Sequence, residues 1–220
     1  MIKAIIFDLD GTILDTLADL MGAMNGMLKH FGYPEHQDLQ FHKLAIGTGV
    51  KNYVRKSLPQ EVAKDEEKLN VCLAKMREIY AAHANDLTKP YEGILELLEA
   101  LSREGIMINV LSNKPNNLTG ELVRAWFSDF PFRYVYGERE GVPRKPDPKA
   151  PLEISSALEL LPNEVAFVGD SGVDMQTGKK AGMLPIGVLW GFRSAEELTE
   201  NGAAYLAEKP MDILNLIKQN

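Results

Sequence analysis

The sequence predicts an α/β fold, a parallel sheet with helices on both faces, interrupted by an inserted all-helical domain. Three observations predict it. Short apolar runs without polar alternation recur at residues 3–9, 106–111, 133–136, 165–168 and 184–189, as in strands buried on both faces. Helical periodicity fills the intervals after residue 90, and alternating strands and helices build a parallel sheet through right-handed crossovers. Between residues 15 and 86 only helical spacing occurs, with no strand signal.

At 220 residues, against about 150 per domain, the chain is one large domain or a domain plus an insert. The predicted boundaries are residues 1–14 with 88–220 for the sheet domain and 15–87 for the helical insert, a candidate lid. Hydrophobic residues at 45% and charged ones at 25% suit a soluble globular chain with a sizeable core. Cys72 is the only cysteine, so no intrachain disulfide can form, which fits a reducing compartment. Its place in a helical pattern marks it as a buried, inert thiol. The 24 basic residues against 31 acidic ones give −7, which argues against non-specific nucleic-acid binding but leaves room for a small anionic substrate. Asp8 comes too early for a signal peptide, and no apolar run approaches the about 20 residues of a membrane helix. A cytoplasmic protein with no membrane partner is expected.

The individual elements run in chain order. The run at residues 3–9 is a central strand. Leu17, Leu20, Met21, Met24, Met27 and Leu28 give one apolar stripe to a helix over 16–31, which Gly32-Tyr33-Pro34 stops. Within the insert, helices are expected at 39–45, 50–58 and 65–84, the last with Leu69, Cys72, Leu73, Met76, Ile79 and Tyr80 on one face. Beyond it come a helix at 94–103, the second strand, and a helix at 117–127. The third strand is succeeded by a helix at 148–160, the fourth by one at 174–181, and the fifth by closing helices at 195–200 and 211–217. Trp126, Phe127, Phe130 and Phe132 read as packing beneath the third strand. His30, His36, His42 and His83 lack ligand spacing and read as surface or packing residues.

Ligands of such sheets bind beyond the carboxyl ends of the strands, so chemistry is sought in the residues just past each strand. After the first come Asp8, Asp10, Gly11 and Thr12. In an extended segment residues two apart point the same way, so Asp8 and Asp10 face one spot. Crowded acids push one towards its protonated form unless a cation intervenes. Gly11 permits close approach of backbone to a ligand, and Thr12 adds a hydroxyl and an N–H. The plain structural alternative is an Asx-type turn with solvated acids. After the second strand comes Ser112-Asn113-Lys114; before the helix at 148 stands Arg144-Lys145-Pro146-Asp147-Pro148; after the fourth strand comes Gly169-Asp170-Ser171-Gly172-Val173-Asp174. Taken singly, Ser112 reads as a strand-end cap, Lys145 as a solvated lysine and Asp170 as a helix N-cap. Several polar endings at one rim point instead to a site.

Asp8-Leu9-Asp10-Gly11-Thr12, Leu111-Ser112-Asn113, Lys145-Pro146-Asp147-Pro148 and Gly169-Asp170-Ser171 with Asp174 resemble, in order, the four motifs of the haloacid dehalogenase superfamily. The resemblance implies a Rossmann-like core, and the helical insert resembles the cap of the phosphoglycolate phosphatase-like branch. It implies Asp8 as nucleophile, forming an aspartyl-phosphate, and Asp10 as the acid and base that moves protons. Ser112 and the Asn113 N–H would hold phosphoryl oxygens, and Lys145 would neutralise charge. Mg²⁺ would be held by Asp8, the main-chain carbonyl of Asp10, and Asp170, with Asp174 acting through a metal-bound water or by orienting Lys145.

Within the superfamily, an acid at position 10 favours phosphoester hydrolysis, since a departing halide needs no proton. Transport ATPases need membrane helices. Phosphomutases often carry an apolar residue where Thr12 stands. The segments 15–20 with Asn25, 31–34, 46–49, 91–93 and 112–115 resemble phosphoglycolate phosphatase. The expectation is therefore a phosphatase of a small phosphorylated metabolite, first 2-phosphoglycolate. A β-phosphoglucomutase-type mutase, a pyrophosphatase, a nucleotidase and a broad sugar phosphatase are the alternatives. Backbone N–H groups at Gly49, with Lys51 or Arg55, are candidates to receive a substrate carboxylate, against an interhelix turn with solvated bases. A monomer or homodimer is expected.

Overall fold

The computed structural model describes residues 1–219. The chain divides into two compact units, Met1–Asp15 with Pro90–Asn220, and Thr16–Lys89.

The first unit carries a six-stranded sheet. Its strands are β1 (Ala4–Phe7), β4 (Met107–Pro115), β5 (Phe132–Glu138), β6 (Val165–Gly169), β7 (Leu184–Val188) and β8 (Tyr205–Ala207). Two further strands, β2 (Leu14–Asp15) and β3 (Lys89–Pro90), form a small sheet of their own. The order in the large sheet is β5-β4-β1-β6-β7-β8, and all neighbours pair in parallel. β1 sits between β4 and β6, where the strand order reverses. That is the switch point at which a crevice opens beyond the strand ends. Both faces are covered, as the unbroken apolar runs require. Ile5, Phe7, Ile108, Val110, Val168 and Ile186 lie in one buried cluster, and Ala4, Ile6, Leu111, Val165 and Phe167 in another. The first takes Leu97 and Leu101 of α6 (Ile94–Arg103), Leu122 and Phe127 of α7 (Asn116–Phe127), and Ile213 and Ile217 of α11 (Pro210–Lys218). The second takes Ile154 of α8 (Lys149–Ala157) and Ala181 of α9 (Gly172–Ala181). Helix α10 is Ala195–Glu200. Trp126, Phe130 and Phe132 pack on the first cluster around Phe127, in keeping with their reading as core.

Three differences from the sequence reading have physical causes. A sixth strand, β8, was not expected, because three residues carry too short a pattern. The second strand runs on through Ser112, Asn113 and Lys114 to Pro115, since pairing with β5 reaches Pro115↔Glu138 and overrides their polar character. Strands β2 and β3, of two residues each, are too short to show in periodicity.

The second unit is helical: α1 (Leu17–His30), α2 (Leu39–Ala45), α3 (Val50–Ser57), α4 (Gln60–Ala63) and α5 (Glu66–His83). The short α4 was not anticipated. Met24, Met27 and Leu28 of α1 and Leu69, Met76 and Tyr80 of α5 are buried. His42 is buried too, its ring bonded to the Tyr53 hydroxyl at 2.5 Å and the His36 carbonyl at 2.8 Å. It is a packing histidine. Asp19 accepts from the N–H of Leu87 and from the N–H and hydroxyl of Thr88, fastening the end of this unit to its start.

One polar residue lies inside the central sheet. Asn109, fully buried in β4, donates to the Ile5 carbonyl at 3.0 Å and accepts from the Tyr134 N–H at 3.2 Å, where the β4–β5 register shifts. It bridges a break in the ladder. Asn109→Leu should cost about 2 kcal/mol, because the Tyr134 N–H loses its partner. The check is a urea unfolding curve, with a lowered midpoint and an unchanged slope expected.

Candidate active site

The site is built at the carboxyl ends of β1, β4 and β6, entirely within the first unit. β1 stops at Phe7, and the Asp8 N–H goes on to the Val168 carbonyl at 2.8 Å. Asp8 and Asp10 therefore do not share a strand face. Asp8 turns to Lys145, whose Nζ is 2.8 Å from Oδ1. Asp10 turns to Lys114, whose Nζ is 2.8 Å from its Oδ1. Lys114 stood in the Ser112-Asn113-Lys114 segment without an assigned role; the available signal was a lysine that a strand end carries towards two acids.

Lys145 also lies 2.7 Å from Oδ1 of Asp174. The other oxygen of Asp174 accepts from the Ser171 hydroxyl at 2.6 Å and its N–H at 3.1 Å. Ser171, not Asp170, is the N-cap of α9, and Asp174 completes a capping box. The Ser-x-x-Asp spacing was the signal for this. Asp170 is thereby released from capping. Its Oδ2 accepts from the Phe192 N–H at 2.8 Å, and its Oδ1 lies 3.4 Å from the Thr12 hydroxyl. The Thr12 N–H bonds to the Leu9 carbonyl, and its own carbonyl accepts from Trp190. Thr12 is fully buried and braces Asp170.

Ser112 is buried, and its hydroxyl accepts from the Lys114 N–H at 3.2 Å. Asn113 has a second role that sequence reasoning missed. Its side chain donates to the Lys145 carbonyl at 3.2 Å and accepts from the Lys145 N–H at 2.9 Å. That clasp fixes the backbone from which Lys145 reaches inward. Gly11, at φ +83°, closes the turn; a Cβ there would fall 2.4 Å from Asp170 Oδ2. Gly49, Lys51 and Arg55 belong to the other unit. Gly49 is the N-cap of α3 with φ +94°, and both bases pair with Glu66, at 2.8 Å for Lys51 and 2.5 Å for Arg55.

The charges explain one another. Burial pushes the Asp8 carboxyl up to about 7; Lys145 pulls it down, while Asp174 and, least, Asp10 push it up. Burial, not the crowding of Asp8 with Asp10, is the leading cause. Burial raises Asp170 well above the ordinary carboxylate range, Asp174 and Asp8 add to this, and the Phe192 N–H opposes it. Burial pulls Lys145 down, but Asp174 and Asp8 outweigh it and leave it raised.

Asp8, Asp170 and Asp174 bring carboxylate oxygens within 4.8 Å of one another, all three residues being buried. Oδ1 of Asp8 is fully buried, with the Lys145 ammonium 2.8 Å away. Three converging buried carboxylates, hard oxygens with one ammonium, Lys145, between two of them, fit a divalent cation. The carboxylate of Asp10, occupied by Lys114, is outside this group.

Residues 5–188 match the haloacid dehalogenase-like hydrolase family. The chain belongs to that family. It is 31% identical over 216 residues to phosphoglycolate phosphatase 1 of Pseudomonas aeruginosa, covering 96% of this chain and 78% of the relative. It is 27% identical to the N-acetylmuramic acid 6-phosphate phosphatase of the same organism, covering 98% and 95%. A crystal structure from Lactobacillus delbrueckii subsp. bulgaricus, provisionally named a phosphoglycolate phosphatase, superposes with a TM-score of 0.90 at 32% identity, over 98% of each chain. This haloacid dehalogenase-like hydrolase is accordingly a phosphoric monoester hydrolase of the phosphoglycolate phosphatase-like kind. Among the described residues no helix is long and apolar enough to cross a membrane.

The raised Asp8 gives a pH signature. A folded-state value of about 7 against 3.8 means a contribution to stability that is whole below 3.8 and lost as pH rises through about 7. In EDTA, the thermal midpoint of the wild type should fall relative to that of Asp8→Asn as pH rises across this interval. Saturating divalent cation should flatten the difference.

Proposed function

We propose that this hydrolase is a Mg²⁺-dependent phosphatase that acts on a small phosphate monoester, first 2-phosphoglycolate, through an aspartyl-phosphate. The observation that carries this reading is the buried Asp8 carboxylate, paired with Lys145 at 2.8 Å and grouped with two further buried aspartates. Asp8 attacks phosphorus, the ester P–O bond breaks, and Asp10 gives its proton to the departing oxygen. Asp10 then takes a proton from the water that hydrolyses the phosphoenzyme. Lys145 aligns Asp8 and offsets the phosphoryl charge, while Ser112 and the Asn113 N–H receive phosphoryl oxygens. Asp8, Asp170 and the Asp10 carbonyl would hold Mg²⁺, which when bound would supply Lewis-acid neutralisation of the phosphoryl group. Because Lys145 and Ser171 occupy both oxygens of Asp174, orientation of Lys145 is the better-supported role for Asp174.

The helical unit Thr16–Lys89 is assigned as the cap that selects the substrate, which is consistent with its compactness. Orphan N–H groups after Gly49, with Lys51 and Arg55, would receive a substrate carboxylate in competition with Glu66. The protein acts in the cytoplasm on a free metabolite, as monomer or homodimer. A sugar phosphate is the second reading, favoured by the relative named for N-acetylmuramic acid 6-phosphate.

The direct test is phosphate release over a panel with Mg²⁺, including 2-phosphoglycolate, pyrophosphate and hexose phosphates. Asp8→Asn should abolish turnover with the fold intact; substantial Mg²⁺-dependent turnover in that variant sinks the covalent route. Lys51→Ala with Arg55→Ala should raise KM for 2-phosphoglycolate about tenfold through the lost charge. An equal rise for phosphate esters that carry no carboxylate would remove the carboxylate assignment.

A further inference from the structure

Each of the two aspartates at the heart of the proposed reaction has its own buried ammonium. Lys145 serves Asp8, whereas Lys114 lies 2.8 Å from Asp10 Oδ1. The Lys114 side chain is 3% exposed and that of Asp10 14%, so this pair is largely withdrawn from water. A buried charge is kept only where it is paired. The backbone of Lys114 is held from several sides. Its N–H donates to the Ser112 hydroxyl at 3.2 Å, and its carbonyl lies 3.4 Å from the Thr119 hydroxyl. Gly137 of β5 presses behind it so closely that a Cβ there would sit 2.5 Å from the Lys114 carbonyl. Such a residue is aimed, unlike a surface lysine that finds a nearby acid.

We infer that Lys114 positions Asp10 for proton transfer to the leaving oxygen, a role that rests on the phosphatase reading above. In the first step the Asp8–phosphorus bond forms, and the ester P–O bond breaks with its electron pair on the ester oxygen. The proton of Asp10 moves to that oxygen, and Asp10 ends as a carboxylate. The ammonium at Oδ1 leaves Oδ2 to carry the proton and faces the charge that develops as the proton departs. A fixed cation at that point stabilises the transition state more than the ground state. The contribution matters where the leaving group needs a proton, as an alkoxide does. It is nearly idle for p-nitrophenolate, which leaves unprotonated.

The experiment compares kcat/KM, which reads leaving-group departure and not the later hydrolysis of the phosphoenzyme, for 2-phosphoglycolate, or the best alkyl ester of the panel, with kcat/KM for p-nitrophenyl phosphate, both with Mg²⁺. Lys114→Met should lower kcat/KM on the alkyl ester about 100-fold, the scale of general acid catalysis. On the aryl ester kcat/KM should fall less than about threefold. Lys114→Arg should restore most of the alkyl kcat/KM. Asp10→Asn should show the same split in kcat/KM, and adding Lys114→Met to it should cost nothing further. Lys114→Gln serves if the Met variant does not fold, and must show the same split. Equal losses of kcat/KM on both esters, or an unchanged alkyl kcat/KM, overturns the role of Lys114 alone. A wild type inert on both esters overturns the phosphatase reading and this role with it.

Discussion

Lys145 is the charge on which the site depends. Its ammonium lies between Asp8 and Asp174, at 2.8 and 2.7 Å, with 3% of its side chain exposed. Two buried carboxylates this close, with Asp170 beside them, would drive one another to the neutral form. Loss of one partner of a buried ion pair commonly costs about 3–5 kcal/mol, because the remaining charge stays desolvated. Asp8 can therefore be at once buried and charged only while that ammonium stays in place. The structure secures it through its main chain, by the two-bond clasp from Asn113. An exposed lysine loop would leave the charge to wander.

The parallel sheet brings these groups together at little conformational cost. β1 ends between β4 and β6, so Asp8, Ser112 and Asp170 arrive on adjacent strands that packed cores hold on both faces. The surroundings of these groups are then backbone as much as side chain. Gly11 and Gly191 let the main chain close on Asp170; a Cβ at Gly191 would fall 2.3 Å from the Asp170 Cβ. Phe192 offers its N–H to the same carboxylate. Asp170 is thus aimed by contacts from Thr12 and Phe192, which come from opposite ends of the chain.

Where the sequence carried a run, it was legible. Unbroken apolar stretches marked five of the six strands of the large sheet, and the Asp8, Ser112, Lys145 and Asp170 motifs marked the rim where the structure gathers them. The elements that stayed hidden have local reasons. β8 and the pair β2–β3 are two or three residues long, below the reach of any periodicity. The extension of β4 through Asn113 and Lys114 depends on a neighbouring strand, which propensity does not see. Asn109 reads as a flaw in an apolar strand until the register shift it bridges is known. The capping of α9 by Ser171 was spelled out in sequence but masked by the more conspicuous acid before it. Lys114 was hidden differently: its partner, Asp10, lies 104 positions away.

That separation has a consequence for how the chain is made. Ala4 of β1 pairs with Met107 on one side and Val165 on the other. A ribosome delivers β1 first and its partners much later, at about 5–20 residues per second. The helical unit Thr16–Lys89, contiguous in sequence, can close on local contacts in the meantime. The strand that leads into Asp8 must therefore wait, unpaired and apolar, while the insert organises itself. Its brevity, Ala4–Phe7, limits how much a nascent chain exposes during that delay.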